Sequence, residues 1–99
     1  MLADLAEKFE SSSRRYAEVN GIERDPDWYL LKLQEERANS RRPWNRVSGR
    51  GRPKGKAPDE LKQDLADETA DMLGHILLFA RQNGIDLALA IERKWLFRP

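Results

Sequence analysis

Residues 66 to 75 read ADETADMLGH, and within them Glu68, Asp71 and His75 stand at positions i, i+3 and i+7. At about 100° per residue these positions share one narrow sector of a helix, with Asp64 close beside it. Carried forward, the sector reaches Phe79, an aromatic expected in the interior, so the acids are expected to face inward or into a cleft. Burying carboxylates is costly unless something positive sits between them. A second acidic pair, Glu35 and Glu36, lies in KLQEERAN, with Asn39 three residues after Glu36. Antiparallel helices can set such pairs opposite one another and enclose a metal ion. Oxygen ligands without cysteine favour a hard cation, Mg²⁺ or else Mn²⁺, and such ions commonly serve phosphates. The same stripe also arises as a solvated helix face, and the residues alone leave both readings open. His75 suits ligation or, as is commoner for a lone histidine, packing and orientation of the neighbouring carboxylate.

The chemistry has a basic counterpart. From Arg37 to Pro58 there are eight bases (Arg37, Arg41, Arg42, Arg46, Arg50, Arg52, Lys54, Lys56) and no acid, although the chain as a whole carries a net charge of only +1. Such a segment in an acidic frame points to an anionic partner, or else it is a solvated loop. Arg50, Arg52, Lys54 and Lys56 could close over a phosphorylated substrate. Of the three tryptophans, Trp44 sits among the arginines and is the candidate for contact with a base or partner, whereas Trp28 and Trp95 are expected in the core.

The elements that must position these groups are helical. Four segments have helical period and none alternates like a strand. The first covers about residues 2 to 19, with Leu2, Leu5, Phe9, Tyr16 and Val19 near one face and Gly21 as its stop. The second starts after Asp25, with Pro26 in its first turn and Trp28, Leu30, Leu31 and Leu33 on its apolar face. Pro43 predicts a kink or an end near residues 39 to 42, because proline removes a helical hydrogen bond and clashes with the carbonyl of Asn39. A Gly/Pro/basic loop follows at about 48 to 57. The third helix runs from near Pro58 to the Asn83–Gly84 stop, and the fourth follows Asp86 as N-cap.

Ninety-nine residues make one domain, here taken as 1 to 99. The absence of cysteine excludes disulfides and thiolate metal sites. The longest apolar run, ILLFA, is too short for a membrane span, and a cytoplasmic protein without a membrane partner is expected. The second half of the third helix is apolar nearly all round, and such a helix must be covered on several sides. We therefore expect an all-α, bundle-like homodimer or homotetramer.

The segment LKLQEERA, followed after the basic loop by LADETADMLGHILLFARQNGIDLALAIERKWL, resembles the MazG-like nucleotide pyrophosphohydrolases over residues 27 to 97. The resemblance implies a four-helix, oligomeric MazG fold that binds Mg²⁺ and hydrolyses nucleoside triphosphates to monophosphate and pyrophosphate. Glu36, Glu68 and Asp71 match metal ligands of the motif E-E-x-x-E … E-x-x-D. Glu35 matches its first glutamate, which would orient water or an additional metal and is the candidate to take the water's proton. Lys94 falls where a base can reach phosphate. Asn39 departs from the motif's third glutamate, a change that implies weaker Mg²⁺ binding. The alternative reading, from a different class, is a non-catalytic module on the same frame that uses residues 37 to 56 to hold nucleic acid or another polyanion.

Overall fold

A computed structural model describes all 99 residues, and its elements are α1 (Leu2–Asn20), α2 (Pro26–Asn39), α3 (Arg41–Val47), α4 (Pro58–Gln82) and α5 (Leu87–Trp95), with no strand. The boundaries follow local chemistry. α1 stops at Gly21, whose φ of 63° is the left-handed conformation glycine adopts freely, and its N–H bonds back to Ala17. Asp25 caps α2 by accepting from the Trp28 N–H at 2.8 Å. Asp86 caps α5 through the Leu89 N–H at 3.0 Å. At the start of α4, Glu60 reaches back to accept from the Ala57 N–H at 3.1 Å.

The helix expected to kink or end near residues 39 to 42 ends at Asn39, and the chain starts a new short helix after Ser40. The basic stretch Arg41–Val47 is therefore helical, which makes five helices rather than four. Pro43 is tolerated there because it lies in a first turn, where a missing N–H forfeits no intrahelical bond.

α4 is the centre of the molecule: α1, α2 and α3 each pack on it. α2 runs antiparallel to α4, since Trp28 lies beside His75 while Glu36 lies beside Glu68 and Asp71. α1 crosses α4 at Gly74, where Phe9 comes so close that a Cβ on residue 74 would stand 2.6 Å from its ring. The core is thin. Ala17, Tyr29, Leu61, Leu77, Leu78 and Ala80 are its buried apolar residues, and no side chain is wholly excluded from water. Two charged residues are buried with them, Glu10 and Glu36, each 7% exposed.

Several residues expected inside lie outside. Tyr16, Val19, Leu30, Leu31 and Trp95 are exposed, and Phe79 is half-buried. Within the chain α4 is the main packing partner, and one helix cannot cover them all. The molecule is accordingly flat, 42 × 40 × 21 Å, with a radius of gyration of 15.8 Å against roughly 13 Å for a compact chain of this length. No helix is long and apolar enough to cross a membrane.

Candidate metal centre

Antiparallel packing of α2 on α4 sets the two acidic motifs face to face. One carboxylate oxygen each from Glu36, Glu68 and Asp71 lies within 4.8 Å of the others. Glu36 is buried, Glu68 half-buried and Asp71 exposed, so the cluster is closed on the protein side and open on one edge. The inward orientation anticipated from the stripe thus holds for Glu68, and its cost is visible: Glu68 Oε2 is buried without a hydrogen-bond partner.

The contrast with Glu10 defines what the cluster lacks. Glu10 receives Arg24 in a two-pronged pair, Nη1 to Oε1 at 3.0 Å and Nη2 to Oε2 at 2.9 Å, with Arg14 at 3.0 Å as a second donor. The Arg24 hydrogen bond holds its carboxyl below the ordinary value of 4.5. Glu36 has no guanidinium. Its nearest basic group is His75, Nε2 to Oε1 at 3.8 Å, and burial followed by the charge on Lys32 pushes that imidazole towards its neutral form. Burial and then the charge on Asp71 push Glu36 above 4.5. Glu68 is raised in the same direction, first by burial and then by Glu36. Three carboxylates held together without a guanidinium, with only the charge of Lys32 acting on Glu36 from beyond ion-pair distance, form an all-oxygen donor set that fits a hard divalent ion.

Two cavities meet at the cluster. One, of about 420 Å³, is lined by Phe9, Ser12, Ser13, Tyr16, Trp28, Lys32, Glu36, Asp71, Gly74, His75 and Leu78. The other, of about 310 Å³, is lined by Asn39, Arg42, Pro43, Arg46, Asp64, Asp67 and Glu68. Asn39 is therefore on the Glu68 side of the cluster and exposed, alongside two arginines of α3. His75 touches Glu36 and the edge of Trp28, ring centroids 6.2 Å apart, but stands outside the carboxylate cluster.

Other anticipated residues are not brought to this point. Glu35 is exposed and pairs with Lys32 at 3.5 Å. Arg50, Arg52 and Lys54 are exposed on the loop, Trp44 is exposed on α3 and Lys94 on α5; none of them lines either cavity. The loop is tied to the acidic helix at one point, Lys56 Nζ to Asp64 Oδ2 at 2.6 Å.

Trp28, Lys32, Arg42 and Arg46 line the cavities without having been singled out as site residues. Trp28 and Lys32 were detectable, since they precede Glu36 by eight and four residues and so share its helix face. Arg42 and Arg46 were not, because their direction depends on the break at Ser40. No protein-family model, curated protein or solved structure matches the chain.

Proposed function

We propose that the chain is a Mg²⁺-dependent nucleoside triphosphate pyrophosphohydrolase, with Mn²⁺ as the other ion the site accepts. The observation that carries the reading is the buried Glu36 and half-buried Glu68 beside Asp71, neither held by an arginine, in a chain that gives its other buried glutamate two arginines. The motif resemblance to the MazG-like enzymes supplies the reaction class. Glu36, Glu68 and Asp71 would hold the ion, with Asn39 on the Glu68 side offering a neutral oxygen. A divalent ion held there supplies charge neutralisation on phosphate oxygens and a fixed, more acidic water.

The chain's own residues account for the remainder of the substrate. Trp28, Tyr16 and Phe9, with the hydroxyls of Ser12 and Ser13, give one cavity an aromatic wall with polar edges, which suits a nucleobase. Arg42 and Arg46 in the other cavity suit the polyphosphate, fixed guanidinium donors being well matched to phosphate oxygens. Asp71, at the exposed edge, leaves the side from which substrate and water arrive. Glu35 would take the water's proton only by leaving Lys32, one residue from the ligand Glu36. Arg50, Arg52 and Lys54 can approach the phosphates by a movement of the loop, while Lys94 stays with α5.

The test is pyrophosphate release from a panel of nucleoside triphosphates with Mg²⁺, with Mn²⁺ and with chelator. Metal-dependent release is expected, falling by about 100-fold or more in Glu68→Gln. Release that persists in chelator, or in Glu68→Gln, would refute the reading. A second reading rests on α3 and the loop, a segment whose bases Arg41, Arg42, Arg46, Arg50, Arg52 and Lys54 are interrupted by no acid and which carries the half-exposed Trp44. The exposed bases of the loop suit a polyanion such as nucleic acid, and binding there would weaken steeply with salt and ignore Glu68→Gln.

A further inference from the structure

The loop after α3 carries its bases in a definite order. Arg50 and Arg52 flank Gly51, Pro53 follows, and Lys54 comes next. Arg50, Arg52, Pro53 and Lys54 are exposed. Of the eight bases between Arg37 and Pro58 only Lys56 has a carboxylate partner, Asp64. The tip is pinned at its two ends. The N–H groups of Arg50 and Gly51 both donate to the Asn45 carbonyl, at 2.7 and 2.9 Å, and Lys56 is tied to α4 through Asp64 at 2.6 Å. Gly51 lies so close to α3 that a Cβ there would stand 3.3 Å from Arg46. Between the two anchors, the N–H groups of Arg52 and Lys54 bond to nothing in the chain.

Local sterics favour a thin, extended segment. Arg52 precedes a proline and is steered towards extended backbone, and the proline ring fixes the next φ. In extended backbone, residues two apart point the same way and stand roughly 7 Å apart, about two base-pair steps of duplex DNA. With glycine between the two arginines, no side chain widens the ribbon. The minor groove of DNA, about 6 Å wide, matches a single thin ribbon, whereas the major groove, about 12 Å wide, accommodates a helix or two paired strands. The types of base are sorted to match. A guanidinium is planar and weakly hydrated, which suits the narrow and strongly negative minor groove of A·T tracts. An ammonium is a strongly hydrated point charge, which suits phosphate at the groove's rim.

We propose that Arg50 and Arg52 enter the minor groove of A·T-rich duplex DNA, with Lys54 on the adjoining phosphates. The inference rests on the second reading above, which it narrows from a polyanion to one kind of duplex, and it does not depend on the metal centre.

Fluorescence anisotropy of the full chain with three labelled duplexes of one length, across a salt series, tests it. The duplexes are A·T-rich, G·C-rich and inosine·cytosine. Inosine lacks only guanine's 2-amino group, so its pair with cytosine presents the minor groove of A·T and the major groove of G·C. The A·T-rich and inosine·cytosine duplexes should bind about 10-fold or more tighter than the G·C-rich one. The charge-conserving double variant Arg50→Lys, Arg52→Lys should keep the salt dependence and bring A·T and G·C affinities to within about twofold of one another. The three-duplex comparison on unaltered protein reads the groove even if that variant fails to fold. Equal affinity for all three duplexes with a steep salt dependence would overturn the minor-groove assignment and leave the polyanion surface standing. Inosine·cytosine bound as weakly as G·C would move the contact to the major groove, and a double-lysine variant that keeps the A·T preference would take it away from these arginines; either overturns the proposal. Absence of binding to every duplex would remove both the proposal and the second reading.

Discussion

Glu10 and Glu36 are equally buried, yet their environments drive them in opposite directions. Glu10, lowered by its Arg24 hydrogen bond, stabilises the fold above the ordinary value of 4.5, and that contribution is lost as pH falls below it. Glu36 and Glu68, raised chiefly by burial, favour the folded state while protonated, and that contribution is lost as pH rises above 4.5 through their raised values. These contributions in metal-free protein should therefore be at their greatest near the ordinary carboxylate value of 4.5 and decline on either side of it. Thermal melts in chelator across pH will locate that optimum, with Glu10→Gln flattening the acid limb and Glu36→Gln the alkaline one. Added Mg²⁺ should raise Tm increasingly as pH climbs through the upper window, and a gain independent of pH would contradict the carboxylate cluster. Position 39 gives a further prediction. Asn39→Glu adds a negative oxygen on the Glu68 side, so it should lower the Mg²⁺ concentration needed for half-maximal stabilisation and raise turnover. No change in either would remove residue 39 from the site. The ligands were legible because helical spacing is a strong constraint on direction. The absence of a neutralising guanidinium at Glu36 was not, since sequence does not tell which acid Arg24 will reach from the turn before α2.

Each helix is a compromise between propensity and approach. Gly74 sits inside a 25-residue helix, where glycine costs about 1 kcal/mol relative to alanine. It is repaid by proximity, for Phe9 occupies the space a Cβ would take. Gly74→Ala should lower stability by about 1–3 kcal/mol despite its better helix propensity, and Phe9→Leu in the same chain should recover part of the loss. Urea unfolding of the single and double variants measures both, and a stabilised Gly74→Ala would mean that α1 does not cross there. Phe9 and Gly74 also line the aromatic cavity, so the single variant should raise KM for the nucleotide. The stop of α1 and the starts of α2, α4 and α5 were readable from Gly21, Asp25, Pro26, Pro58 and Asp86, because caps are local chemistry. The separate α3 was not. Pro43 announced a break, but whether helix resumes after it depends on the packing of α3 against α4.

At the scale of the molecule, an all-α chain was predictable from periodicity, whereas its thin core was not. Apolar stripes on α1 and α5 say that something covers them and leave open whether it is the same chain. In a body 21 Å through, α4 alone cannot satisfy all of them, and this is why Tyr16, Leu30, Leu31 and Trp95 lie on the surface. The position of α4 in the chain also has a consequence for synthesis. α1, α2 and α3 all depend on a helix that starts only at Pro58, so more than half of the polypeptide leaves the ribosome before the element it packs on exists. Domains often fold as they emerge, N-terminal parts first. This one has no such order available. Its first three helices must wait, apolar faces unprotected, until residue 82 is free, and that interval is when chaperone capture or misassociation between nascent chains would occur.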